Sequence, residues 1–269
     1  LLTSSLVIPV PSPAMFIDTH AHLYHKQFDV DREEMLARAV DAGVGRFYLP
    51  NIDLESVASM HALCDAHPEL CFPMMGLHPT SVPEDPARDL VGIEKLLREG
   101  RYHAVGEIGI DLYWDKSRLI QQEEVFLTQV RWAKELSLPV VIHCRDSFDE
   151  VFRIVEDEND THLRGVFHCF TGTAEQARLI TGLGGFMLGI GGVITYPKSG
   201  LAQVMAEVGA DHCVLETEAP YLAPVPHRGK RNESTYVPIV AQALAQATGS
   251  TLDDIARMTT ANAEKLFAA

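Results

Sequence analysis

The 269-residue chain has no run approaching the roughly eighteen uninterrupted apolar residues that a membrane-spanning helix needs, so no membrane insertion is expected. Cysteine is scarce and poorly placed for cross-linking: Cys64, Cys71, Cys144, Cys169 and Cys213 are odd in number and show no CxxC spacing. That argues against both a disulfide framework and a thiolate zinc site, and fits a reducing cytoplasm. Positive charge is short as well. Lys and Arg number 22 against 37 Asp and Glu, leaving a net charge of −15. Such a charge is unfavourable for non-specific contact with a polyanion, because nucleic-acid affinity comes largely from neutralised phosphates. Any contact with nucleic acid must therefore be local. Low-complexity runs and fixed-period repeats are also absent, and 46% hydrophobic with 22% charged residues marks an ordinary globular chain.

What is present is an alternation of short apolar or β-branched runs with longer segments of helical period, the pattern of repeated βα units and a parallel sheet. Eight strands are expected, over 15–23, 46–51, 71–77, 103–110, 140–144, 165–170, 186–190 and 213–217. Helical patterns fall at 32–42, 55–66, 90–99, 120–138, 174–183, 236–247 and 253–267, the first ending at Gly43. Eight strands and this length predict an α/β fold, a (β/α)8 TIM barrel forming a single domain over 15–269. Residues 1–14, LLTSSLVIPVPSPA, lack a cationic segment and carry three prolines, so they are expected to be an extension rather than a secretory leader.

The side chains able to bind metal gather at the C-terminal ends of these strands, where barrel enzymes build their sites. In Asp-Thr-His20-Ala-His22 the period of a strand turns two imidazoles to one side and Ala21 to the other. Alone, such a pair is as well explained by two surface histidines. Glu107 in GEIGID sits between glycines that allow close approach, and a carboxylate there can bridge two cations. His143 in VIHCRD and His168 in VFHCF end the fifth and sixth strands, each after an apolar pair and each expected to face inward. A lone histidine in such a place is usually a hydrogen-bonded core residue; four with one carboxylate at corresponding strand ends point to a metal centre. The eighth strand adds Glu216 and Glu218, with Glu218 nearer the mouth as a metal ligand and water-activating base.

The blocks FIDTHAHL, GLHP, GEIGID, VIHCRD, FHCFTG, LGIGGVIT, LETEAPYLAP, PHRGKRNE and TTANAEKLF, in this order, resemble the signature of the TatD-related hydrolases of the amidohydrolase-like superfamily, over nearly all of the chain after Met15. The resemblance implies two divalent ions, Mg, Mn or Zn. It places His20 and His22 on one, His143 and His168 on the other, Glu107 bridging, and the strand-8 acid completing the first. It also implies hydrolysis of DNA from a 3′ end. The chain departs from the family pattern at Glu218, where aspartate is usual, and at Ser234, where proline commonly follows Arg-Asn-Glu.

The loop His227-Arg228-Gly-Lys230-Arg231 is the densest cationic stretch and, beside the strand-8 acids, is expected to hold phosphate, with Arg228 and Arg231 each offering a two-donor fork. Arg145, two residues beyond His143, either contacts a phosphate or pairs with Asp146 or Glu107. His78 ends strand 3 and is expected to support the site or pack its loop; Asp18 and Glu216 lie deeper and are expected to orient ligands rather than bind metal. Gly189, Gly191 and Gly192 lack the lysine of a P-loop and are expected to allow a bend. Trp114 is the one aromatic placed to stack on a base.

Three readings follow: a metal-dependent deoxyribonuclease, an amidohydrolase-type enzyme on a small amide or lactone, and a metal-binding relative impaired by the Glu218 departure. A monomer is the default expectation.

Overall fold

The computed structural model describes residues 16–268; the expected extension 1–14 and Met15 lie outside the described residues. The chain alternates strand and helix: β1 (Phe16–Asp18), α1 (Arg32–Asp41), β2 (Val44–Leu49), α2 (Val57–Ala66), β3 (Cys71–Pro73), α3 (Ala87–Glu99), β4 (Val105–Asp111), α4 (Leu119–Leu136), β5 (Val140–Arg145), α5 (Phe148–Glu158), β6 (Gly165–Phe167), α6 (Ala174–Gly182), β7 (Phe186–Ile190), α7 (Leu201–Val208), β8 (Cys213–Leu215), α8 (Val237–Thr248) and α9 (Leu252–Phe267). The strands pair in parallel as β1-β2-β3 and β4 through β8. Parallel bridges Met75↔Val105 and Ala21↔Ala219 join the two arcs, and the Thr19 amide donates to the Leu215 carbonyl at 3.0 Å, closing the (β/α)8 barrel expected from the strand count.

The helices pack their apolar faces on the outside of the strands in one continuous core. A second cluster fills the interior: Ile17, Tyr48, Met74, Ala104, Val141, Val166, Met187 and Val214, one from or beside each strand. Ala263, Leu266 and Phe267 of α9 join it, and the Phe267 ring stacks on Tyr48 at 4.0 Å. With apolar side chains filling this layer, polar groups are displaced toward the C-terminal mouth. Val141 and Val166 belong to the filled layer, and His143 and His168, two residues on, take the same face one layer higher.

Four strands are shorter than expected. β1, β3, β6 and β8 each hold three residues, and in β6 and β8 the chain leaves the ladder just where the polar side chains begin. Cys169 (φ 46°) and Glu218 (φ 63°) take the left-handed region at two of these exits, a conformation that alternation along a strand does not anticipate. Buried amides close the hydrogen bonding left open at strand ends. From α4, Gln129 bonds both the amide and the carbonyl of Leu77 (2.7 and 3.2 Å), and Gln122 does the same for Asp111 (2.8 and 3.2 Å).

Two helices, α5 and α7, were not expected. In α5 the buried Val151, Ile154 and Val155 follow helical spacing but lie among acids, while α7 is only eight residues long between Gly200 and Gly209. Gly43 takes φ 89° after α1, a backbone turn that L side chains resist. Gly189 serves close approach: a Cβ there would collide with the Glu216 carboxylate, and one at Gly192 with the Leu222 carbonyl. The bend expected at the end of β7 is therefore a tight seam against the segment after β8.

Candidate metal centre

Glu107 is the hub of the mouth. The β4–β5 register shifts between Val105 and Ile108, and this irregularity turns the buried Glu107 side chain inward among imidazoles. Its Oε2 lies 3.2 Å from His20 Nε2 and 3.6 Å from His22 Nε2. Its Oε1 lies 2.7 Å from His143 Nδ1, 2.9 Å from His168 Nε2 and 3.1 Å from His78 Nε2. Burial would raise the Glu107 pKa, but the surrounding imidazoles outweigh it and hold the carboxyl well below its ordinary range. Glu218 follows the same balance: burial raises, His20 and His168 lower, and the net shift is downward.

The histidines are not equivalent, and their partners assign their tautomers. Tyr24, a phenol that burial keeps protonated, gives its hydrogen to the Pro50 carbonyl at 2.6 Å. Its oxygen can then only accept from His22 Nδ1, 2.9 Å away, so His22 Nε2 presents a lone pair to Glu107. In His78 the Nδ1 accepts the Thr80 amide at 3.1 Å, so Nε2 carries the proton and faces Glu107 Oε1 3.1 Å away. His78, expected to support the site or pack its loop, thus stands against Glu107 at the mouth.

His143 has a carboxylate on each nitrogen, Glu107 on Nδ1 and Asp111 on Nε2 at 2.9 Å. Burial opposes charge there, yet the two carboxylates prevail and raise its pKa. Asp111 was missed in the sequence, although it stands four residues past Glu107 on the same strand face. An acid on the far nitrogen of a ligating histidine is how metal sites fix ring orientation and basicity. His168 stacks on His20 with centroids 3.9 Å apart; burial lowers the pKa of both, but only in His168 do Glu107 and Glu216 reverse the shift, to well above the ordinary value.

Six buried atoms here lack a hydrogen-bond partner: both His20 ring nitrogens, Glu107 Oε2, His168 Nδ1, Glu216 Oε2 and Glu218 Oε2. His20 Nε2 is 3.2 Å from both Glu107 Oε2 and Glu218 Oε2, close enough for ion pairing but outside hydrogen-bond geometry. Five of the six belong to His20, Glu107, His168 and Glu218, residues whose donor atoms lie close together. An orphaned buried polar atom costs about 1–3 kcal/mol, and imidazole with carboxylate is a donor set that suits divalent transition metals. Three groups of donors lie within 4.8 Å of one another: His20-His22-Glu218, His20-Glu107-His168 and His78-Glu107-His143. His168 thus groups with His20, while remaining 3.4 Å from His143.

Below this layer Asp18 is buried and accepts from Thr217 Oγ1 (2.7 Å), Ser234 Oγ (2.6 Å) and the amides of Thr217 (3.1 Å) and His20 (3.3 Å). Burial raises its pKa to about 7. Glu216 is also buried and accepts the Cys169 amide, so both acids tie the strand ends carrying the histidines to each other.

The basic loop divides. Arg231 spends its fork on Asp31 (2.6 and 2.7 Å), which holds that acid's pKa to about 2 and anchors the loop to the start of α1. His227 lies flat on Tyr236 at 4.1 Å. Arg228 is exposed over the Tyr196 ring at 4.4 Å and Lys230 is exposed; among the described residues neither has a carboxylate partner. Arg145 likewise pairs with neither Asp146 nor Glu107 and instead lies over Tyr113.

The sequence profile of the TatD related DNases matches residues 17–268. An uncharacterized metal-dependent hydrolase of Bacillus subtilis, YabD, is 37% identical over 254 residues, covering 94% of this chain and 99% of its own. A protein of Rahnella named 3'-5' ssDNA/RNA exonuclease TatD is 33% identical, over 92% of this chain and 96% of its own. The crystal structure of YJJV, a TatD homologue of Escherichia coli, superposes with a TM-score of 0.89 at 31% identity, over 95% of this chain and 99% of that one. No helix among the described residues is long and apolar enough to cross a membrane. The chain belongs to the TatD-related DNase family, the metal-dependent hydrolases whose fold and full length it shares.

Proposed function

We propose that the protein is a deoxyribonuclease that removes nucleotides from the 3′ end of single-stranded DNA, using two divalent ions, Mg, Mn or Zn, in a single-domain cytoplasmic monomer. The observation that carries this is the convergence of His20, His22, His143 and His168 on Glu107 with six orphaned donor atoms, at a mouth where Arg145, Arg228 and Lys230 have no carboxylate partner. His20, His22 and Glu218 would hold one ion and His143 and His168 the other, with Glu107 available to both. Bound there, divalent ions would supply an activated water at neutral pH and offset charge developing on the phosphate. Glu218, whose side chain keeps 18% of its exposure while that of Glu107 keeps 1%, is the acid that receives the water's proton. Arg145, Arg228 and Lys230 bind the flanking phosphates, which gives an acidic protein the local cationic contact it needs. The name of the Rahnella relative supports the same substrate class.

The test is digestion of 5′-labelled single-stranded DNA with added Mg2+, Mn2+ or Zn2+, beside EDTA and a His20→Ala variant. A ladder shortening from the 3′ end is expected only with metal and intact His20. Full-length substrate under every metal, or cleavage indifferent to EDTA, contradicts the reading.

A further inference from the structure

Beside the centre, the segment after β4 carries an aromatic ledge that the ligand set does not use. Tyr113 and Trp114 are 54% and 72% exposed, an unusual loss of apolar burial for two adjacent large rings. They meet edge to face with centroids 4.9 Å apart. The Arg145 guanidinium covers Tyr113 at 3.9 Å and reaches Trp114 at 5.5 Å, so a cation is fixed against the ledge with its donors uncommitted to any carboxylate. Trp114, Asp111 and Arg118 form one wall of a cavity of about 430 Å3, and the 79–83 turn forms the other.

Asp111 joins the ledge to the centre. One of its oxygens lies 2.9 Å from His143 Nε2, while the other accepts the amides of Tyr113 at 3.0 Å and Trp114 at 3.3 Å. A ring presented here therefore sits at a fixed offset from the ligand histidine, which a flexible loop aromatic would not give.

We infer that Trp114, with Tyr113 and Arg145, forms a nucleobase subsite: a base next to the cleaved linkage stacks on the exposed indole, and Arg145 takes the phosphate attached to it. This deepens the nuclease reading and rests on it. A planar heterocycle with an anionic group is the ligand that matches an exposed ring pair with a free guanidinium beside it, whereas an aliphatic side chain leaves the cation unused. Stacking of this kind tolerates any base, so the subsite selects unstacked, single-stranded chain over duplex rather than a sequence.

The experiment measures binding of a labelled oligothymidylate, and of the same oligonucleotide with abasic sites at its 3′ end, to the full chain and to Trp114→Ala, Trp114→Phe and Arg145→Ala, with cleavage followed in parallel. The wild type is expected to prefer the base-bearing strand. Trp114→Ala should lose about 5- to 150-fold in affinity for it and bind the two strands alike, with Trp114→Phe intermediate. Arg145→Ala should weaken both strands equally and flatten the salt dependence. A preference unchanged by Trp114→Ala, or no preference in the wild type, overturns the subsite. If DNA is cut in that case, the nuclease reading stands without the subsite; if bases are read through Trp114 but no metal ion yields cleavage, the reverse holds.

Discussion

A hydrogen bond to a phenol decides how His22 can act. Because Tyr24 has only one proton and Pro50 receives it, His22 Nδ1 must donate, leaving Nε2 free for a cation. Tyr24→Phe keeps the ring and removes the acceptor, so metal affinity should fall by about 10- to 100-fold, the usual effect of losing a partner behind a ligating histidine. Calorimetric titration with Mn2+ or Zn2+ checks this; unchanged affinity would show that the tautomer is set by something else. Glu218 is the other residue on which the account turns. From a left-handed backbone its carboxylate reaches to 3.2 Å from His20 Nε2. On the proposed reading the longer acid is the working one, where the resemblance has aspartate. Glu218→Asp withdraws the carboxylate by roughly a bond length, and displacements of that order cost up to about a hundredfold in rate. A lower rate is expected. A higher one would mark glutamate as an impairment.

Among the elements, the segment after β8 does two different jobs that its composition does not separate. Arg231 is bound to Asp31, and Arg38 of α1 reaches Asp31 (3.0 Å) and Glu233 (2.7 Å), so this part is a clamp onto α1. Among the described residues Arg228 and Lys230 have no carboxylate partner. Arg231→Ala is therefore expected to cost about 0.5–1 kcal/mol of stability, discounted for the partial exposure of the pair, with little change in DNA affinity. Arg228→Ala with Lys230→Ala should weaken DNA binding while leaving the melting temperature in place. Equal loss of DNA binding from both variants would undo the division. This contrast also marks what the sequence could tell. Strand-end chemistry was legible where alternation holds: His143 and His168 each follow an apolar pair at a strand end, whereas Glu107, after Val105-Gly106, is turned inward by the irregularity in β4. The pairing of a guanidinium with an acid 200 positions away, Arg231 with Asp31, leaves no local trace. Asp111 was hidden in an otherwise glycine and isoleucine run. Ser234 looked a minor departure from the family pattern, yet its hydroxyl is one of the donors on buried Asp18. Glu218 was expected to follow strand alternation, and its left-handed turn replaces that geometry.

At the scale of the molecule, a net charge of −15 opposes nucleic-acid binding, and under the proposed function it falls to Arg145, Arg228 and Lys230, which have no carboxylate partner among the described residues, to offset it. Counterion release then limits the salt response: with about 0.7 per phosphate contact on single strands, three contacts give a slope of log affinity on log salt near −2. Binding measured between low and physiological salt should show that shallow slope. A steep one, beyond about −4, would mean a cationic track elsewhere on the surface. The barrel supports all of this by filling its lower layer with apolar side chains and α9, so that the buried charges concentrate in one polar layer above. The most direct measurement is the metal content of the purified protein and of Glu107→Gln, by elemental analysis, with thermal unfolding as a control on the fold. Glutamine keeps the shape of the hub and removes its charge. The account predicts bound divalent metal in the wild type and its loss, with DNA cleavage, in a variant that still folds; equal metal content in both proteins would contradict it.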